Sequence, residues 1–269
     1  MARTKLVAGN WKMNLTQASG AALAENVAGL CAARQDVDVV VFAPFTMLAR
    51  LQDTVQRSRH IRHGAQDVFW LPKGAFTSQV SAQHLTDVGV SHCLVGHSET
   101  RGRFGALEVP ESTLGYFGET EETVNLKIKT LLFHSIQPVL CVGETQAERD
   151  ASQTEAVIAA QLEGALAGID AVELYFFVVA YEPVWAIGTG QTCSADEAER
   201  ICKFIRDWFG SHFDDPELAD QVRVLYGGSL KAANASELFS QPNIDGGLVG
   251  GASLQAEEFA GIVRAALPK

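Results

Sequence analysis

A lysine, a histidine and a glutamate stand far apart in this chain, each where a β-rich apolar run stops. They are Lys12 in Gly9-Asn10-Trp11-Lys12, His97 in Gly96-His97-Ser98-Glu99, and Glu182 in Tyr181-Glu182-Pro183. Two later runs stop in glycine pairs, Tyr226-Gly227-Gly228-Ser229 and Leu248-Val249-Gly250-Gly251. Taken singly, Lys12 reads as a solvated surface lysine, His97 as a capping or core histidine, and the glycine pairs as turns. Glu182 resists that treatment, because a carboxylate after five apolar residues needs a partner or a task. One shared site explains all five at once. Its chemistry would be proton transfer beside a carbonyl: such C–H bonds are weakly acidic, so a base must reach the carbon while electrophiles stabilise the enediolate oxygens. Glu182 can be the base, with His97 and Lys12 facing the oxygens. The glycine turns would offer backbone N–H groups to a phosphate. The histidines are dispersed and form no HxH or HExxH spacing, so no metal is required.

These residues can meet only if a fold gathers the ends of the runs. Eight runs are present: 5–11, 37–44, 61–67, 92–98, 137–144, 175–183, 223–228 and 246–253, with starts about 34 residues apart on average. Most are followed by a stretch of helical period, as in βα units. The runs are continuous (Val39-Val40-Val41-Phe42) rather than alternating, as strands covered on both faces should be. Helices are expected over 18–33, with Leu23, Val27 and Leu30 on one stripe, and over 152–168, with Val157, Ile158, Leu162 and Leu166. Ser194-Ala-Asp-Glu197 has the form of a capping box opening a helix that carries Ile201, Ile205 and Trp208 on one face. Eight repeats predict a closed, single-domain (β/α)8 barrel spanning 1–269, with active chemistry at the carboxyl ends of its strands. One interval is too long, 45 residues between the fourth and fifth starts, and Gly102–Tyr116 reads as an insertion after strand 4.

Composition bounds the partners. The 269 residues are 47% hydrophobic and 20% charged, enough for a large core, with a net charge of −11. The densest basic stretch, Arg57, Arg59 and Arg62 with His60 and His63, is short, so nucleic acid is not an expected partner. No apolar run nears the ~18 residues of a membrane span. Five dispersed cysteines without a CxxC pair fit a reducing compartment, and the chain is read as a complete, unexported, cytoplasmic protein.

In ordered sequence, Gly9-Asn-Trp-Lys-Met-Asn14, Val95-Gly-His-Ser-Glu99, Cys141-Val-Gly-Glu-Thr145, Ala180-Tyr-Glu-Pro-Val-Trp-Ala-Ile-Gly-Thr-Gly190, Tyr226-Gly-Gly-Ser229 and Leu248-Val-Gly-Gly-Ala-Ser253 resemble the triosephosphate isomerase family. The resemblance implies cofactor-free interconversion of dihydroxyacetone phosphate and D-glyceraldehyde 3-phosphate. It makes Glu182 the base, His97 a neutral proton donor located where a helix should begin, Lys12 the cation and Asn10 an oxygen ligand. This family is itself a standard worked example of a base glutamate beside a histidine kept neutral. It also implies a lid over Pro183–Cys193, hinged at Pro183-Val-Trp185. Gly188, Ser229, Gly250 and Gly251 would cradle phosphate, Glu99 would pair with Lys12, Tyr226 would latch the lid, and Ile187 with Leu248 would form an apolar clamp. Members are generally homodimers, with the third loop, here around Thr77, docking near the partner's Lys12 region. Phe69, Trp70, Leu71 and Phe76 could supply that contact or close the barrel's own loop. The residues alone leave two other readings open: an isomerase of a four-carbon ketose phosphate, and a non-catalytic barrel scaffold.

Departures from the family pattern are local. Gln79 and Thr100 stand where Glu and Arg are common, which reads as one ion pair given up as a unit. Gln191-Thr192-Cys193 replaces a hinge that often begins with Lys. Phe-Gly occurs at 104–105 and again at 117–118, and only Phe117-Gly118-Glu119 keeps the family's following Glu. The inserted segment is expected either to be a neutral loop growth or to reach the third loop or the partner subunit.

Overall fold

A computed structural model describes residues 3–32, 36–58, 60–105 and 109–267. Ala33 of the first expected helix, Arg59 of the basic stretch and 106–108 of the insertion lie outside the described residues. Eight parallel strands close in sequence order: β1 (Lys5–Asn10), β2 (Val37–Ala43), β3 (Arg62–Ala65), β4 (His92–Val95), β5 (Gln137–Val142), β6 (Val178–Tyr181), β7 (Arg223–Tyr226) and β8 (Gly246–Val249). β8 pairs back onto β1, Leu6 opposite Gly246. Around them lie α1 (Gln17–Cys31), α2 (Phe45–Ser58), α3 (Ala82–Asp87), α4 (Glu121–Phe133), α5 (Gln146–Asp150), α6 (Thr154–Leu166), α7 (Ala195–His212), α8 (Pro216–Gln221), α9 (Ala232–Phe239) and α10 (Ala256–Ala265).

Side-chain alternation makes two cores from one set of strands. Leu6, Ala8, Val40, Phe42, Leu94, Val139, Cys141, Val178, Ala180, Leu225 and Leu248 fill the barrel interior. Their neighbours, such as Val7, Val41, Leu140, Val179 and Val224, pack outward beneath the helices. Both faces are dry, which is why the runs are continuous in sequence. The interior phase also carries the site. Asn10 follows Leu6 and Ala8 at the same period, and Glu182 follows Val178 and Ala180, so both top the interior stack.

Each expected run contains its strand, but the runs overshoot at their ends. The sixth begins at Tyr175, whereas Phe176 has φ +67°, is 61% exposed and cannot join a ladder. The eighth stops at Val249, where Gly250 turns the chain into a 310 segment, Gly251–Leu254. Leu30 is exposed rather than on the buried stripe of α1, whose face is instead Leu23, Ala24, Val27, Ala28 and Cys31. Val157 and Trp208 are likewise only partly buried. Ser194 does cap α7 by accepting the Glu197 N–H, but the reciprocal bond is absent because the Glu197 carboxylate engages Arg200. Complete capping boxes at Thr16, Ser81, Thr120 and Thr145 fix the starts of α1, α3, α4 and α5, each worth about 1 kcal/mol.

The second Phe-Gly pair is the one that resumes the barrel rhythm. Glu119, two residues after Phe117, bonds to Lys127 of α4, and Lys127 also binds Asp67 beyond β3. The insertion leaves after the turn that carries His97 and returns at Phe117 through a 310 segment, Glu111–Tyr116. Among the described residues no helix is long and apolar enough to cross a membrane.

Candidate active site

The carboxyl ends of the strands surround a cavity of about 380 Å³ lined by Asn10, Lys12, His97, Glu182, Ile187, Gly188, Ser229, Leu248, Gly250 and Gly251, among others. Ten residues singled out in the sequence therefore share one wall-to-wall space. Of the rest, Glu99 pairs with Lys12 at its rim, while Pro183, Trp185 and Tyr226 lie buried behind it.

Backbone ladders aim the carboxylate. Glu182 N–H donates to Val142 O of β5 (2.7 Å), and Gly227 N–H donates to Tyr181 O (2.7 Å), so the sheet pattern continues one residue past β6. Gly143 opposite admits this approach, because a Cβ there would fall 1.8 Å from Glu182 O. The Glu182 carboxylate then accepts the Ser98 N–H at Oε2 (3.0 Å) and meets His97 Nε2 at Oε1 (2.9 Å). Burial pushes the Glu182 pKa up, but the His97 ring and the Ser98 N–H outweigh it and hold the group below the ordinary glutamate value. The base is ionised at rest.

No helix begins at His97. A single turn follows, closed by Thr100 N–H and Arg101 N–H on His97 O (2.9 and 3.2 Å), and α4 starts only at Glu121. That turn still delivers what a helix start would, two N–H groups aimed at the site: Ser98 to Glu182 and Glu99 to His97 Nδ1 (3.2 Å). With Nδ1 accepting, the ring proton belongs on Nε2. Burial lowers the imidazole pKa, yet the Glu182 carboxylate resting on Nε2 prevails and raises it.

Lys12 lies beyond β1, so strand periodicity is not what brings it beside Asn10. Its backbone takes φ +51°, a left-handed conformation costing a non-glycine residue roughly 1–3 kcal/mol. Three contacts hold it: Lys12 N–H on Asn10 Oδ1 (3.0 Å), Gln66 Nε2 on Lys12 O (3.0 Å), and Lys12 Nζ on Glu99 (2.5 Å). Across the cavity, Gly188 has φ +70° and is open on its Cβ side, and a Cβ on Gly250 would lie 3.9 Å from the Lys12 chain. Cation and glycine turn thus face the same few ångströms of space.

Trp185, in the segment expected to hinge a lid, is held by Glu144 of the Cys141–Thr145 motif. Glu144 Oε1 accepts the Trp185 Nε1–H (2.8 Å) and the Tyr181 hydroxyl (3.2 Å), and burial raises its pKa. The Arg149 guanidinium covers the Trp185 ring at 3.6 Å. Burial raises the pKa of the Tyr226 hydroxyl, and farther along the segment Ser229 Oγ donates to Ala186 O (3.3 Å). Gln66, which also donates to Asn10 Oδ1 (3.2 Å), was missed in the sequence, as was the role of Glu144. Both omissions had a signal: Gln66 is next to last in the third run and Glu144 last in the fifth, the strand-end region that exposed Lys12, His97 and Glu182. Thr100 Oγ1 lies against Glu119 and 2.7 Å from His97 O, tying the site to the α4 lysine.

With this geometry in hand, known proteins give the lineage. The family model described as triosephosphate isomerase matches residues 5–266. The chain belongs to the triosephosphate isomerase family. A triosephosphate isomerase of Rhodopirellula baltica is 44% identical over 266 residues, covering 99% of both chains. One from Trichlorobacter lovleyi is 46% identical over 97% of this chain and 98% of its own. One from Picosynechococcus sp. is 45% identical over 97% of this chain and 98% of its own. Triosephosphate isomerase membership accords with both the closed barrel and the carbonyl-proton chemistry inferred from its strand ends.

Proposed function

We propose that this enzyme interconverts dihydroxyacetone phosphate and D-glyceraldehyde 3-phosphate through an enediolate, with Glu182, His97, Lys12 and Asn10 doing the chemistry. The observation that carries it is the ionised Glu182 carboxylate 2.9 Å from His97 Nε2, on one cavity with Lys12 and the Gly250-Gly251 turn. Phosphate seats on the N–H groups of Gly188, Gly250 and Gly251 and on Ser229. The substrate oxygens then face Lys12, Asn10 and His97. Glu182 leaves the Ser98 N–H, takes the proton from C1 of the ketone, and later returns it to C2. His97 Nε2–H protonates the O2 side as Lys12 offsets its charge, and the ring recovers a proton from O1. No electrons are exchanged with a cofactor.

The lid supports this reading. Ile187 and Gly188 follow a first hinge held through Trp185, and Ile187 lines the cavity together with Leu248, so a lid closed over a bound enediolate would shut it from water. The homodimer belongs to the same reading. Trp70 and Phe76 each pack at a tilt against Phe69, with centroids 4.2 and 4.8 Å away, which closes the third loop on itself. Yet Leu71 and Phe76 stay about 40% exposed, and Met13, beside Lys12, is 95% exposed. Such a surface suits a second copy of this chain. Buried cysteines suit a reducing cytoplasm.

Coupled turnover of glyceraldehyde 3-phosphate by wild type and Glu182→Gln tests the mechanism. Loss of the proton acceptor should cost about 10²–10⁴ in kcat. Equal rates would overturn it.

A further inference from the structure

The insertion begins against the lid, and this contact has no part in the chemistry described so far. Gly105 packs so closely on the lid backbone that a Cβ there would fall 2.3 Å from Ile187 O, 2.6 Å from Val184 O and 3.2 Å from Thr189 Cγ2. Two carbonyls and a side chain of the lid therefore bear directly on one inserted residue. The stem presenting Gly105 is itself fixed. Arg103 N–H donates to Ser98 O (2.8 Å), its guanidinium binds Gly143 O (3.1 Å) and the Glu148 carboxylate, and Phe104 meets Phe117 edge-on at 5.2 Å. Ser98 and Gly143 are the residues that flank Glu182. The prop is thus anchored on the strand ends around Glu182 and bears on the lid from its first hinge at Val184 to Thr189.

We propose that Arg103-Phe104-Gly105 is a buttress that favours the lid arrangement seen here, in which Ile187 and Gly188 line the cavity, making Gly105 a positioning residue for closure. The inference rests on the phosphate lid of the proposed function. Its physical basis is that a lid's residence over ligand depends on the difference in contacts between its two positions. The Gly105 contact exists only while 184–189 lies against the stem, so it weighs on one side of that equilibrium.

The consequence is read in how the enediolate partitions. Closed, it is reprotonated. Open, its C3–O bond breaks, phosphate departs with the electron pair, and the remaining enol tautomerises to a 1,2-dicarbonyl. Gly105→Ala puts a methyl inside the Ile187 and Val184 carbonyls and must displace the lid or the stem. We expect inorganic phosphate to bind about tenfold more weakly, the equivalent of about 1.4 kcal/mol, with KM raised more than kcat is lowered and more phosphate released per isomerisation. Phe104→Ala, which removes the ring that seats the stem on Phe117 without placing any atom against the lid, should shift all three readouts in the same direction. If wild type binds phosphate and turns over while both variants match it in affinity, KM and phosphate release, the buttress is wrong. A wild type that neither binds phosphate nor turns over refutes the proposed function instead. A loss of kcat alone, with affinity and partition unchanged, also rejects the buttress, since general structural damage would produce it.

Discussion

Lys127→Met is expected to destabilise the barrel heavily while sparing the chemistry. The ammonium lies 2.6 Å from Asp67 and 2.5 Å from Glu119, with its own side chain 9% exposed. Burial alone would lower its pKa, but the two carboxylates raise it, so it is charged in the fold. Removing one partner of a buried ion cluster costs about 3–5 kcal/mol because the other charges are stranded. Here the strandings differ. Glu119 is 4% exposed and keeps only the Thr100 hydroxyl, whereas Asp67 is 40% exposed and remains screened by water. The lower end, about 3 kcal/mol, is therefore expected at pH 7. For a chain of this length that is a fall of about 6–12 °C in Tm. Thermal melts at pH 7 provide the assay. Lys127→Met with Glu119→Gln should recover more than half of the deficit. A Lys127→Met Tm within about 2 °C of wild type at pH 7, where a deficit of about 3 kcal/mol is expected, would refute the claim that this cluster fixes the register of the returning insertion.

The remaining predictions concern Glu182 and the dimer. Because the Glu182 pKa is lowered in the fold, its contribution to stability is present above the unfolded value of about 4.5 and lost as pH falls through the folded one. Between pH 6 and pH 3, Glu182→Gln should thus lose stability less steeply than wild type in denaturant titrations, and parallel curves would contradict the assignment. Phe76→Glu, charging an exposed aromatic of the third loop, should weaken self-association by at least tenfold in sedimentation equilibrium, equivalent to about 1.4 kcal/mol. An unchanged dimer would place the interface elsewhere. Restoring both charges with Gln79→Glu and Thr100→Arg tests the lost ion pair, and unchanged stability and association would dismiss it.

The strand ends were legible because three constraints coincide there. A parallel barrel buries both faces of each strand, so its runs are continuous and stop abruptly where the chain meets the open end. A polar residue at such a stop is conspicuous, and Asn10, His97 and Glu182 were found by that contrast. Gln66 and Glu144 carry the same mark, but their types do not tell a structural acceptor or donor from a reacting group, so their roles appeared only with their partners. Expected run ends overshot because Gly250 and Phe176 are apolar or small enough to continue a run, while their backbone angles end the ladder.

By itself the sequence determined the eightfold βα order, the barrel and the polar residues that share its mouth, since all of these follow from local patterns of burial and chemical type. Tertiary structure alone decided how that set is held. The left-handed backbone at Lys12, the Glu99 N–H on His97 Nδ1 and the Glu144 clasp on Trp185 each depend on groups brought together from distant segments or on a turn no local propensity specifies. The same holds for the insertion. Its composition gave only a loop after strand 4, because a loop's own residues do not encode what lies across the barrel mouth. Closure of the barrel brings the Ile187 carbonyl to Gly105, and only that approach turns an inserted loop into a neighbour of the lid.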